Sequence, residues 1–338
     1  MMDPVHALIM FGIVSAAAAL LLTPKYGLYS RWKRARRGMK RVAVEDALKH
    51  IFDCEYKNIT CTTESIAGAL LISTDESADL LTRLSSMGLL VTDDNGVRLT
   101  PNGNSYALRI IRVHRLWERY LADETSVPST EWHASAEQAE HVLTPEEAEA
   151  LAARIGNPHF DPHGDPIPTP TGELPQKKGH SLLALDPGAF AVITHIEDEP
   201  EAVFAQLMAQ GLYVGMQVMM IERTNERVRF AADGEEIVLA PILTNNLTVA
   251  PIAEEEQKIT SPPAVLSSLS VGEEATVLSI SKAMRGHQRR RLMDLGVVPG
   301  TVIRAEMKSA SGDPTAYNIR GALVALRQQH AHMIFIQK

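Results

Sequence analysis

The chain has 338 residues, 45% of them hydrophobic, a formal net charge of −8 and only two cysteines. That length exceeds one ordinary domain and predicts two or three. The charge excludes nucleic-acid binding driven by the overall field, so such contact needs a local basic patch. Cys54 and Cys61 are too few for a disulfide scaffold and form no CxxC zinc pattern, which fits a reduced, cytosolic location for the bulk of the chain.

Val5 to Leu22 is an apolar run of eighteen residues without Asp, Glu, Lys or Arg, about the minimum to cross a bilayer. Seven basic residues follow between Arg31 and Arg41. Positive charge beside a span stays on the cytoplasmic face, so the pattern predicts a single-pass cell-membrane anchor with the rest of the chain inside. A cleaved signal peptide carries its charges before the apolar run. A buried core helix is the remaining alternative.

Val44 to Phe52 has one apolar face. Thr62 to Leu70 and Thr74 to Met87 read as two short helices, with Ser73 capping the second. Gly88 to Val91 and Val97 to Leu99 read as strands around Asn95-Gly96, a hairpin signal. Helix, helix-turn-helix and hairpin in this order is the winged-helix pattern. Helices are expected again from about Pro101 to Tyr120 and Ser129 to His141, and from Pro145 behind the cap Thr144. Six prolines between Asn157 and His180 predict a linker. Beyond it, Leu207–Gly215 matches Leu292–Gly300 at an offset of 85. Each copy is flanked by alternating apolar strands, which predicts a small SH3-like barrel present twice.

Between Val113 and His141, histidines and carboxylates stand at helical spacing: His114 and Glu118, His133 and Glu137, Glu140 and His141. One such pair is ordinarily a solvated ion pair. Six in register on helices that can pack together form a nitrogen and oxygen donor set, which suits manganese, iron or zinc.

The segment from Val42 to about Pro168 resembles the diphtheria-toxin-repressor family of iron- and manganese-dependent transcriptional regulators. The resemblance rests on Val113-His114-Arg115-Leu116-Trp117-Glu118, on Ala139-Glu140-His141-Val142-Leu143-Thr144, and on Asp161-Pro162-His163-Gly164-Asp165-Pro166-Ile167-Pro168. Both C-terminal repeats resemble FeoA-type SH3-like domains, the second most clearly through Gly286 to Gly296. Ala16 to Leu28 with the following Arg-rich run resembles the final membrane helix of a manganese/zinc ABC permease.

The resemblance implies a primary metal site at Asp46, Glu137, Glu140 and His141, and a second at His114, Glu118 and His133. The second can be completed by His195 and Asp198, with Glu197 and Glu199 as rivals. Lys49 stands where the manganese branch has an acidic ligand, which implies one metal and not a close pair. Iron-type members place Cys and Met thioether where this chain has Glu137 and Asp46, which favours Mn2+ over Fe2+. For His159 and His163, loop anchoring is favoured over ligation. His287 and Arg289 to Arg291 read as a solvated basic face, and Trp117 and Trp132 as core.

The expected recognition helix, Thr74 to Met87, offers Ser73, Thr74, Ser77, Thr82 and Arg83 to DNA. Six acidic residues against two arginines between Thr60 and Asn104 oppose phosphate contact. The expected fold is α+β multidomain. It comprises an anchor and basic segment (1–41), winged helix (42–104), helical dimerisation and metal domain (105–156), Pro-rich linker (157–180) and two FeoA-like domains (181–253 and 266–338) joined by a linker (254–265). The expected function is that of a dimeric, manganese- or iron-dependent DNA-binding regulator of metal homeostasis. The rival is a metal-sensing module of a transporter, partnered with an ABC permease or a ferrous-iron transporter component. No nucleophile–base pair or phosphate loop points to an enzyme.

Overall fold

The computed structural model describes residues 28–93, 96–176, 179–232, 235–252, 264–281 and 283–338, with side chains of the first helix described from Lys40 onward. The run Val5–Leu22 lies outside the described residues. Among the described residues, no helix is long and apolar enough to cross a membrane.

The chain divides into two units at Ile111/Arg112. In the first, helix α1 (Leu28–Tyr56) is followed by α2 (Thr63–Ala69), α3 (Thr74–Ser86) and the strands β1 (Leu90–Asp93) and β2 (Gly96–Leu99). The first helix extends far ahead of its apolar stretch at Val44 to Phe52, through the basic run. Capping boxes start both short helices: Thr62 with Ser65, and Ser73 with Glu76. Each satisfies two otherwise orphaned backbone donors. The strands pair antiparallel from Leu90↔Leu99 to Asp93↔Gly96. Val44, Leu48, Ile51, Ile66, Leu80, Leu84, Leu90 and Val97 close a single core.

The face of α3 corrects one sequence expectation. Ser77 lies on the same face as Leu80, Leu81 and Leu84 and is fully buried. Its hydroxyl donates to the carbonyl of Thr63 at 2.9 Å, so it has no free reach toward DNA. Ser73 is occupied as a cap, bonded to Glu76, and the Thr82 hydroxyl donates back to Ala78 O. Thr74 and Arg83 are exposed, together with Asp75, Glu76 and Asp79.

Helix α4 (Pro101–Glu124) carries the chain across the unit boundary. In the second unit it is followed by α5 (Trp132–Glu140) and α6 (Pro145–Arg154). The latter opens with the capping box of Thr144 and Glu147 and with proline at its start.

The stretch expected to be a Pro-rich linker is a packed loop. Asp161, Pro162, His163, Gly164, Pro166, Ile167 and Pro168 are all buried. Arg112 donates to Pro168 O at 2.7 Å and Arg115 to Pro166 O at 2.5 Å. Arg112 also forks onto Glu149 at 2.9 and 3.0 Å. Prolines exclude helix and ladder, but their fixed φ suits an irregular chain whose carbonyls are taken by arginines.

The duplicated sequence gives two antiparallel sheets of one topology. The first is β3 (His180–Ser181), β8 (Leu247–Pro251), β4 (Phe190–Ile196), β5 (Gln217–Arg223), β6 (Val228–Ala232) and β7 (Glu235–Leu239), in that spatial order. The second repeats the order with β9 (Ala264–Val265), β14 (Ile334–Gln337), β10 (Glu274–Ile280), β11 (Val302–Lys308), β12 (Thr315–Ile319) and β13 (Ala322–Leu326). Helices α7 (Glu201–Ala209) and α9 (Gly286–Asp294) occupy equivalent places, each between the third and fourth spatial strands. Short helices at Pro241–Thr244 (α8) and Gln328–Ala331 (α10) also correspond. Separate cores fill them, around Ile193, Leu207 and Phe230 in one and Val277, Leu292 and Tyr317 in the other.

The basic helix α9 is not simply solvated, as the sequence suggested. Arg289 donates to the carbonyls of Ile280 and Ser281, and Arg290 lies 3.3 Å from Glu124 at the end of α4. Gly286, at φ +56°, sits so close to Thr125 O that an added Cβ would meet it at 1.9 Å.

Candidate metal centre

Glu118 is the middle of the site. It lies on α4, one turn after His114, and both are buried. Nε2 of His114 is 3.2 Å from Glu118 Oε1. The other ring nitrogen, Nδ1, lies 2.5 Å from Oε2 of Glu140, a buried residue at the end of α5. His133, at the start of α5, brings Nδ1 to 3.7 Å from Glu118 Oε1. The i, i+4 spacing on α4 and the packing of α5 beside it create this convergence.

Two further side chains arrive from outside the helices. Asp198, just beyond β4, places Oδ2 3.2 Å from His133 Nδ1. His163, from the packed loop, places Nε2 3.9 Å from Glu118 Oε1. Donor atoms of His114, Glu118 and His133 lie within 4.8 Å of one another, as do those of Glu118, His163 and Asp198. The two groups share Glu118.

Nδ1 of His133 and Nε2 of His163 are buried without a hydrogen-bond partner among the described residues. Asp198 is near the first of these but out of line for a hydrogen bond. Buried polar atoms are rarely left unsatisfied. Imidazole nitrogens and carboxylates turned toward one point, with two nitrogens unsatisfied, fit a divalent first-row cation.

The electrostatics agree. Burial alone pushes the Glu118 carboxyl up. The charge and hydrogen bond of His114, with His133 and His163, outweigh it and hold the carboxyl well below its usual range. The carboxylates around His133, Asp198 first and then Glu118, Glu137 and Glu199, outweigh burial and raise its imidazole far above the ordinary value. Asp198 is lowered, with His133 overcoming the effect of burial. Without a cation, protons and ion pairs hold the cluster together.

The loop's geometry delivers His163. Asp161 Oδ1 accepts from the backbone N–H of His163 at 2.9 Å and of Asp165 at 2.8 Å. Ile196 N donates to His163 O at 2.9 Å, joining the loop to β4. Gly164 permits this approach, because a Cβ there would meet Thr194 O at 2.0 Å and its φ is +95°. A register shift between Ile193 and His195 in the β4–β8 pairing turns His195 and Ile196 both inward. His195 is thereby spent on Asp165, with Nε2 3.2 Å from Oδ2.

Of the residues named for the primary site, Asp46 is half-buried on α1 in the first unit. Glu140 and His141 close α5 in the second, with His141 Nε2 3.8 Å from Glu140 Oε1. Glu137 is exposed, its carboxylate 3.5 Å from Nε2 of His133. Glu199, a rival to Asp198, lies 3.3 Å from the same nitrogen. The sequence favours loop anchoring for His163. It does pack against Trp132 and Phe204, but its free nitrogen faces Glu118. His159, by contrast, is exposed.

Residues 100–169 match the family described as iron dependent repressor, metal binding and dimerisation domain. That segment is similar to the metal-binding and dimerisation domain of iron-dependent repressors. Residues 265–338 match the FeoA domain, whose topology the first sheet shares. The iron-dependent repressor IdeR of Mycobacterium tuberculosis is 35% identical over 122 residues, covering 36% of this chain and 53% of that protein. The chain thus spans about half the length of the curated relatives of this kind. A probable metal transport system membrane protein of Chlamydia trachomatis is 38% identical over 88 residues, 26% of this chain and 20% of that protein. Among solved structures, a manganese-dependent transcriptional repressor in complex with manganese aligns with a TM-score of 0.58 and 26% identity. It covers 62% of this chain and all of that one.

Proposed function

We propose that the chain is a manganese- or iron-dependent DNA-binding transcriptional regulator of metal homeostasis, acting as a homodimer and not as an enzyme. The observation that carries this reading is the buried imidazole–carboxylate cluster around Glu118, with unsatisfied nitrogens on His133 and His163, in a domain of repressor type. His114, Glu118, His133, Asp198 and His163 would hold one cation. Asp46, Glu137, Glu140 and His141 are the proposed primary ligands, and their oxygen-rich set favours Mn2+. A bound cation supplies positive charge that draws carboxylates and imidazoles from separate segments to one point.

In this reading residues 42–104 form a winged-helix head and the two sheets are SH3-like domains. Moving the head between inactive and active arrangements almost completely requires about 5.5 kcal/mol of differential metal binding. The apolar run Val5–Leu22 is proposed as a membrane tether, supported by its length and the basic residues behind it. The exposed acids Asp75, Glu76 and Asp79 argue for weak phosphate contact by α3. Action on a membrane transporter partner is therefore the second reading.

Fluorescence anisotropy with DNA from the chain's own upstream region, in Mn2+ and in chelator, tests the proposal. Binding only with Mn2+, lost in Glu118→Ala together with Glu140→Ala, supports it. No binding in either condition at low salt, with Mn2+ uptake intact, refutes the DNA part and leaves the transporter reading.

A further inference from the structure

The chain's only two cysteines meet in the first unit. Cys54 lies on α1, four residues and one turn after His50, and Cys61 directly precedes the cap of α2. The turn between them is closed by Ile59 N donating to Cys54 O at 2.8 Å. Both thiols are buried. One donor atom from each of His50, Cys54 and Cys61 lies within 4.8 Å of the others. His50 Nε2 is 3.6 Å from Cys54 Sγ and 3.2 Å from Ser65 Oγ, and Ser65 Oγ is 3.6 Å from Cys61 Sγ.

We propose that His50, Cys54 and Cys61 form a soft-cation site, suited to Zn2+, that ties α1 to the start of α2. Zinc bonds of about 2.3 Å to sulfur and about 2.0 Å to nitrogen at the tetrahedral angle set those atoms about 3.5 Å apart. The separation of His50 Nε2 and Cys54 Sγ is already 3.6 Å. Two sulfurs and one imidazole select zinc over manganese, which separates this site chemically from the imidazole–carboxylate cluster in the second unit. Three protein ligands leave a fourth position for water. The turn Tyr56–Thr60 that joins the two cysteines is exposed throughout.

Without a cation both buried thiols are protonated, and binding converts them to thiolates. Burial, reinforced by the neighbouring Cys61, pushes the Cys54 thiol up to about 12, and burial likewise raises Cys61. A cation must displace both protons, so uptake strengthens as pH rises. The site also reaches the hairpin, because Cys61 O accepts from Val97 N at 3.0 Å. Zinc there would fix the strand pair and the two short helices to α1.

Co2+ is the probe, because sulfur-to-cobalt charge-transfer absorption reports thiolate ligation alone. With two cysteines in the chain, that absorption can come from no other site. Full-length reduced protein is titrated with Co2+, then with Zn2+. The expected result is a charge-transfer band that Zn2+ removes and that is lost in Cys54→Ser and in Cys61→Ser. His50→Gln is expected to weaken Co2+ binding by more than the roughly 10–100-fold that supporting residues cost. A second measurement needs no variant: Zn2+ should protect both thiols of the native protein from alkylation. Absence of the band at saturating Co2+, with both thiols shown to be reduced, overturns the proposal. So does an alkylation rate unchanged by Zn2+.

Discussion

Nδ1 of His114 lies 2.5 Å from Oε2 of Glu140, and the opposite nitrogen of the same ring reaches Glu118. One imidazole therefore links two buried carboxylates on two helices, α4 and α5. Glu118 belongs to the cluster around His133, and Glu140 to the proposed primary set. His114→Ala leaves both carboxylates buried without the ring between them. In chelator, the variant should lose about 3 kcal/mol of stability, the scale for breaking a buried ion pair. Urea unfolding measures this, and calorimetry should show that Mn2+ no longer binds the Glu118 cluster. Unchanged stability would mean that the ring does not hold the two acids.

The cluster should respond to pH in opposite senses with and without metal. His133 is raised above its ordinary value, so its contribution to metal-free stability is full below about pH 6.5. It is lost as pH rises through the folded value. A metal needs the neutral imidazole, so Mn2+ affinity should instead increase with pH and binding should release protons. Calorimetry in buffers of different ionisation enthalpy reads the proton count. His133→Ala should lower that count and flatten the metal-free stability slope between pH 6 and 8. A proton count that is unchanged in the variant contradicts this account.

Gly164→Ala should damage the metal cluster from a distance. The new methyl would meet Thr194 O at 2.0 Å, at a φ of +95°. The loop must then leave β4, breaking the Ile196 N to His163 O bond. A loss of about 2 kcal/mol or more is expected, with weaker Mn2+ binding. Thermal unfolding and manganese titration check both effects. Wild-type behaviour in each would show that the loop can yield without cost.

Asp75→Ser with Asp79→Gln should tighten DNA binding and steepen its salt dependence, because both acids are exposed on α3 beside Arg83. Ser77→Ala should act differently, since that hydroxyl is buried against Thr63 O. It should lower the stability of the first unit by about 1 kcal/mol. Because Ser77 donates inward, it should leave DNA sequence preference unchanged. Anisotropy across a salt series separates the two classes of effect.

What the sequence made legible was local. The repeat from Leu207 and Leu292 pointed to two equivalent sheets because helix and strand periodicities recur in step. His114, Glu118 and His133 were visible because i, i+4 spacing fixes a helical face. His163 was not, because its approach to Glu118 depends on a loop folding back onto β4, with Gly164 allowing contact. Pro-rich composition suggested a tether, yet the arginines of α4 take the loop's carbonyls. Ser77 stays ambiguous without a helix phase: only Leu80, Leu81 and Leu84 together define which side of α3 faces inward. Cys54 and Cys61 form no CxxC motif, and their meeting depends on the closed turn between them.

The duplicated sheets use the same corner for opposite purposes. After β4 the first copy presents Asp198 and Glu199 to His133. After β10 the second presents Arg285, half-buried near Arg119, Asp123 and Asp161, followed by Gly286 against Thr125 and Arg290 beside Glu124. The two copies differ in charge at this corner. An acidic corner faces the imidazoles of the proposed metal cluster, while a basic corner buttresses the exit of α4. The two copies thus share a strand order and differ in what their corners carry. Exchanging their corners would put guanidinium groups where the imidazoles need carboxylates.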